Sequence, residues 1–115
     1  MIENIPLPDW AKETNCAITV TDPDGKIIYM NDKSHEVNVK FGNPVGHNLS
    51  EYHNERAMAM IKHLLATGGI NAYTIQKGDV KKLIYQTAWF SEGKVAGLIE
   101  ISIPLPAEMP HYVRS

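Results

Sequence analysis

The sequence predicts a single α+β domain in which antiparallel strands form one sheet and helices gather on one of its faces. Three observations predict it. A strand–turn–strand unit, AITVTDPDGKIIYMND, runs from Ala17 to Asp32. Three β-rich runs joined by glycine turns close the chain between Ile70 and Ile103. The main helical signals lie between these two groups of strands.

Taken in order, Met1–Pro8 reads as an irregular lead-in with two prolines, and Asp9 caps a short helix through Trp10, Ala11, Lys12 and Glu13. Ala17–Thr21 carries β-branched residues that suit a half-buried pleated surface. Asp22-Pro23-Asp24-Gly25 is a turn: Pro23 pre-sets its φ, the aspartates bond nearby backbone, and Gly25 accepts positive φ. Lys26–Met30 returns as the second strand, and Asn31 or Asp32 caps the next helix. Lys33–Phe41 is expected to be one short helix, with Ser34, Val37 and Phe41 on a stripe, broken by the glycines and proline of residues 42–46. Val45–Tyr52 is expected to be a loop holding one helical turn.

His53–Thr67 is the strongest helix. Asn54 caps it, Glu55 sits favourably in its first turn, and Ala57, Met58, Ile61, Leu64 and Leu65 make one apolar face. Gly68-Gly69 ends it. Ile70–Gln76, Val80–Phe90 and Lys94–Ile103 are strands, the last stopped by Pro104 and Pro106. The hairpin-sized connections imply antiparallel pairing. The helices cover one sheet face; the other is left to Trp10 and the N-terminal segment, or to a second copy of the chain.

Composition narrows the class. A chain of 115 residues, 43% of them hydrophobic, is one domain with a real core. A net charge of −2 offers no basic field for nucleic acid, and no direct nucleic-acid partner is expected. The single cysteine, Cys16, makes no disulfide within the chain and fits a reducing cytoplasm. The N-terminus lacks a basic region followed by an apolar run, and no stretch approaches the ~20 apolar residues of a membrane span. A cytoplasmic protein without membrane contact is therefore expected.

The element order and three segments together resemble the PAS family. DPDGKIIYMND resembles its first hairpin and the entry to its first helix. NPVGHNLSEY resembles the crossover in which a glycine precedes a short turn into the long helix. VKKLIYQTAWFSEGKVAGLIEISIPL resembles its last two strands. The resemblance covers residues 15–105, leaving 1–14 as a lead-in with a short helix and 106–115 as a tail. It implies a five-stranded antiparallel sheet of order 2-1-5-4-3 with flanking helices, and a pocket between sheet and helices that senses small molecules, light or redox state. It also implies homodimerisation and an output partner such as a kinase or transcription regulator.

Pocket candidates are Tyr29, Phe41, Tyr52, His53, Met58, Ile61, Leu65, Tyr73, Tyr85 and Trp89. Alternation along the fourth strand puts Leu83, Tyr85, Thr87 and Trp89 on one face and Ile84, Gln86, Ala88 and Phe90 on the other, without fixing which looks inward. The resemblance also brings in haem, whose proximal ligand comes from the long helix in haem-binding relatives. His63 lies opposite that helix's apolar stripe and should face water, which leaves His53 as the candidate. Flavin photochemistry is not expected, because the reactive cysteine of flavin-binding relatives sits in a helix and Cys16 precedes a strand. No phosphate loop, metal motif, paired cysteines or nucleophile elbow is present, and no enzyme activity or metal site is expected. The leading reading is a PAS-like sensory module that binds a small ligand or a protein partner as a homodimer. The alternatives are a haem sensor through His53 and a small enzyme using His53 and Glu55 as an acid–base pair.

Overall fold

The computed structural model describes residues 9–115, so the lead-in expected at 1–8 lies outside the described residues. The elements are α1 (Asp9–Lys12), β1 (Ala17–Thr21), β2 (Ile27–Met30), α2 (Asp32–Val37), α3 (Glu55–Thr67), β3 (Ile70–Lys77), β4 (Val80–Ser91) and β5 (Lys94–Leu105). Short 3-10 turns occupy Val39–Phe41 and Leu49–Glu51. The strands form one antiparallel sheet in the order β2-β1-β5-β4-β3, as expected.

The opening hairpin folds as its residues dictate. Asp22 Oδ1 accepts from the N–H groups of Asp24 and Lys26, both at 2.9 Å, and Gly25 takes φ 85°. Asn31 caps α2 through an Oδ1 that accepts from the Ser34 N–H. The same side chain is wholly buried and makes four bonds. Oδ1 also accepts from the Ile18 N–H at 2.9 Å, and Nδ2 donates to the carbonyls of Ala11 at 3.0 Å and Cys16 at 2.9 Å. One amide thus joins α1, β1 and α2.

The single helix expected over Lys33–Phe41 is two pieces. Asn38 turns its side chain back to the Ser34 carbonyl at 2.9 Å and leaves helical geometry, so α2 stops at Val37 and a 3-10 turn follows. Its expected stripe is not buried as a unit: Ser34 is buried, Val37 and Phe41 are exposed. Trp10 covers no sheet face, being 75% exposed; Ala11 is the residue that α1 buries. Nor does Pro104 stop β5. Pairing with β1 ends at Ser102, so beyond it that side of β5 is an edge where a missing N–H breaks no ladder, and Pro104 pairs with Lys82.

The core sits between α3 and the sheet. Ile61 and Leu64 of α3, each 2% exposed, pack with Ile27, Met30, Leu49 and Leu98. Each such side chain stabilises the fold by ~1.5–3 kcal/mol on burial. Asn54 caps α3 through the Ala57 N–H at 2.8 Å, and Gly68 closes it in the left-handed conformation. His63 on this helix is exposed, as its place on the wheel predicts.

Candidate functional site

Strand register decides which face meets the helices. Thr19 of β1 pairs with Glu100 of β5, Glu100 with Gln86 of β4, and Gln86 with Asn71 of β3. These four residues form one row across four strands. Gln86 is buried, and Thr19 and Glu100 border cavities with Leu49 and His53, so the row faces the helices. The adjacent row, Ile18, Ile101, Tyr85 and Ala72, faces away.

The polar row is linked in one direction. Asn71 Nδ2 donates to Gln86 Oε1 at 3.0 Å, and Gln86 Nε2 donates to Glu100 Oε1 at 2.8 Å. Beside it, Thr19 Oγ1 and Ser34 Oγ are 2.6 Å apart. Tyr73, nearby on the same face of β3, has its phenol pushed above its ordinary value of 10.0, first by burial and then by the Glu100 carboxylate.

The segment before α3 brings His53 over this row. The β1–β2 hairpin pins that segment: the His47 carbonyl accepts from the Ile27 N–H at 2.8 Å, and Leu49 N–H donates to Gly25 at 2.9 Å. Asn48 and Glu51 then close a reciprocal capping box around the 3-10 turn. Just beyond it, His53 Nδ1 lies 2.9 Å from the Leu49 carbonyl. A carbonyl only accepts, so Nδ1 carries the hydrogen.

Two small, partly open cavities lie beneath His53, in the interior between the helices and the sheet. One of about 120 Å³ is walled by Ile27, Met30, Phe41, Leu49 and Tyr52, with Thr19, His53 and Glu100 at its polar end. Phe41 and Tyr52 stack at a 53° tilt, with ring centroids 5.0 Å apart. The other, about 20 Å³, is shared by Ile61, Leu98, Gln86, Glu100 and His53. Outside them, an open cleft of about 510 Å³ runs between the start of α3 and β3, lined by His53, Arg56, Met60, Asn71, Tyr73 and Gln86.

The predicted site residues therefore divide. Phe41, Tyr52, His53 and Ile61 border the interior cavities, and Tyr73 borders the outer cleft. Met58 and Leu65 line a separate surface groove between α3 and the β1–β2 turn. Tyr29, Tyr85 and Trp89 lie on the opposite face of the sheet. There the Trp89 indole donates to the Thr21 carbonyl at 2.9 Å, across Gly97. A Cβ at Gly97 would fall 1.8 Å from that carbonyl oxygen, so the approach requires glycine. The Tyr29 hydroxyl is buried without a hydrogen-bond partner among the described residues. Glu100, Asn71 and Thr19 are site residues that sequence reasoning missed, and Gln86 entered only as one of two alternating faces.

Haem does not fit this geometry. The two small cavities beneath His53 are too small for a haem macrocycle, and their polar end is acidic. The larger cleft that His53 also borders is lined largely by polar groups, Asn54, Arg56, Asn71 and Gln86 among them. His53 and Glu55 do not converge either: Glu55 is exposed and lines none of the cavities that His53 borders. Among the described residues, no cluster of three or more His, Cys, Asp or Glu side chains is placed to hold a metal ion. No helix of the described residues is long and apolar enough to cross a membrane.

No curated protein sequence matches the chain. Solved structures do. The PAS domain of the histidine kinase ThkA aligns at TM-score 0.62 and 16% identity, over 76% of this chain and 97% of that one. The Aer2 receptor from Vibrio cholerae, described as a dual PAS–heme oxygen sensor, aligns at TM-score 0.56 and 16% identity, covering 80% of this chain and 96% of that one. VqmA, also from Vibrio cholerae, aligns in its complex with DPO at TM-score 0.63 and 16% identity, over 83% of this chain and 54% of that one. At such identities the likeness is one of fold. The family model described as PAS fold matches residues 12–105, and with it the chain belongs to the PAS family.

Proposed function

We propose that this PAS domain is a ligand-binding sensory module without catalytic chemistry of its own, and that its ligand sits in the cavity between β1, β5 and the segment leading into α3. The observation that carries this reading is the convergence of Thr19, His53 and Glu100 on one end of a cavity whose other walls, Asn38 apart, are apolar. Apolar walls with a few converging polar groups are the usual form of a small-molecule site. The comparisons supply the context: one neighbour is the PAS domain of a histidine kinase, and another is VqmA bound to DPO. Occupancy would be read out by an output partner such as a kinase or transcription regulator.

A second copy of the chain is part of the proposal. The outer sheet face presents Ile18, Val20, Ile99, Ile101, Tyr85 and Trp89 in adjoining rows, an apolar surface that no helix of the described residues spans. A homodimer burying it matches the hazard such a face otherwise poses. Sedimentation equilibrium tests this part: a dimer that Ile101→Lys converts to monomer supports it, and a wild-type monomer at tens of micromolar removes it.

Native mass spectrometry of gently purified protein tests the ligand. A small molecule retained at one per chain, with NMR shifts at Thr19, Leu49, His53 and Glu100 when it is added back, is the expected result. A ligand that instead shifts only the outer face or the Met58–Leu65 groove overturns the placement.

A further inference from the structure

We infer that the interior cavity selects a small cationic ligand bearing N–H donors, an amine or amidine with a short apolar body. The inference rests on the ligand-binding reading above and specifies its chemistry.

The polar end of the cavity is dominated by the Glu100 carboxylate, with Thr19 and His53 beside it and Asn38 also on the lining. Glu100 Oε1 is taken by Gln86, while Oε2 has no hydrogen-bond partner among the described residues. Gln86 is held in place by Asn71 and Glu100, lines only the smaller cavity, and keeps one Nε2 hydrogen. His53 spends its Nδ1 hydrogen on the Leu49 carbonyl, which leaves Nε2 without a partner among the described residues. Thr19 shares its hydroxyl with Ser34. No lysine or arginine borders either interior cavity, and Arg56 lines the outer cleft instead.

A half-buried carboxylate with an open oxygen and no cation beside it favours a partner that brings both charge and hydrogen. An anion would meet repulsion there, and a ligand without donors would leave the free Glu100 oxygen unanswered. Volume limits the rest of the ligand. About 120 Å³ equals the share of roughly four waters at ~30 Å³ each, which suits a body of about four to eight non-hydrogen atoms. The apolar walls at Met30, Phe41 and Tyr52 suit a short hydrocarbon chain.

The test holds the body constant and changes the head group. n-Butylamine, 1-butanol, butyrate and butyltrimethylammonium are titrated into 15N-labelled protein at neutral pH, reading the amides of Thr19, Leu49, His53 and Glu100. Saturable shifts with n-butylamine, at least tenfold weaker binding of 1-butanol and butyltrimethylammonium, and none of butyrate are expected. Glu100→Gln, which keeps an oxygen for Gln86, should erase the preference for the amine by at least tenfold. Glu100→Asp, which keeps the charge, should retain it and guards against a folding artefact.

Equal binding of 1-butanol and n-butylamine, or a preference that survives Glu100→Gln, overturns the amine selectivity while leaving the pocket in place. Preference for butyrate overturns it too. Failure of all four probes to move the cavity amides overturns both this inference and the ligand-binding reading.

Discussion

Two buried side-chain amides in this domain have opposite surroundings. Asn31 is completely enclosed and spends both oxygen and nitrogen on backbone groups of α1, β1 and α2. Gln86, 6% exposed, spends nothing on backbone; it passes a hydrogen bond from Asn71 to Glu100, which borders a cavity and whose second oxygen has no partner among the described residues. The first arrangement is closed: every polar atom is answered from within the fold. The second ends on a carboxylate oxygen that no described group of the fold answers. A closed network fixes structure, and an open one that ends in a cavity offers recognition.

The largest expected effect breaks the closed side. Asn31→Ala leaves the Ile18 and Ser34 N–H groups and the Ala11 and Cys16 carbonyls without this partner, and should destabilise the domain by about 3–4 kcal/mol in urea unfolding. Next comes Thr21, 1% exposed, whose hydroxyl donates to the Asp22 carbonyl and accepts from the Leu98 N–H. Thr21→Val keeps the shape and loses both bonds, for about 1–2 kcal/mol by the same measurement.

Gln86→Leu should cost about 1 kcal/mol or less, because Asn71 and Glu100 both retain access to solvent or cavity. A loss as large as that of Asn31→Ala would erase the distinction between the two amides.

The smallest effect concerns pH. The Glu51 carboxyl is held below its ordinary value of 4.5, first by the Asn48 N–H and then by His47. A lowered folded value means that its stabilisation is present above pH 4.5 and fades as the pH falls through the folded value. Glu51→Gln and wild type should therefore differ slightly in unfolding midpoint above pH 4.5 and converge below it. A gap that widens in acid would contradict the capping-box assignment.

The hairpin and the long helix with its Asn54 and Gly68 ends were legible in the sequence because local chemistry specifies them; the strand order came from the resemblance to the PAS family. The split at Asn38 was not, since a helical stripe and a side chain that bonds backward to Ser34 look alike in a row of letters. The site was hidden for a sharper reason. Along β5, Glu100 and Ser102 alternate with Ile99, Ile101 and Ile103, a pattern that ordinarily sends the polar set to solvent. Here the polar set faces the helices and the isoleucines face outward. Tyr85 and Trp89 were candidates for the same reason: rings suggested a pocket, and only the register with Ile101 and Gly97 puts them on the other face.

The most direct measurement of the open network is NMR shift mapping of whatever small molecule the purified protein retains, run on wild type and Glu100→Gln side by side. The account predicts shifts centred on Thr19, Leu49, His53 and Glu100, and binding weakened at least tenfold in the variant with an unchanged fold. Undiminished binding to Glu100→Gln, or shifts confined to the outer sheet face, would contradict it.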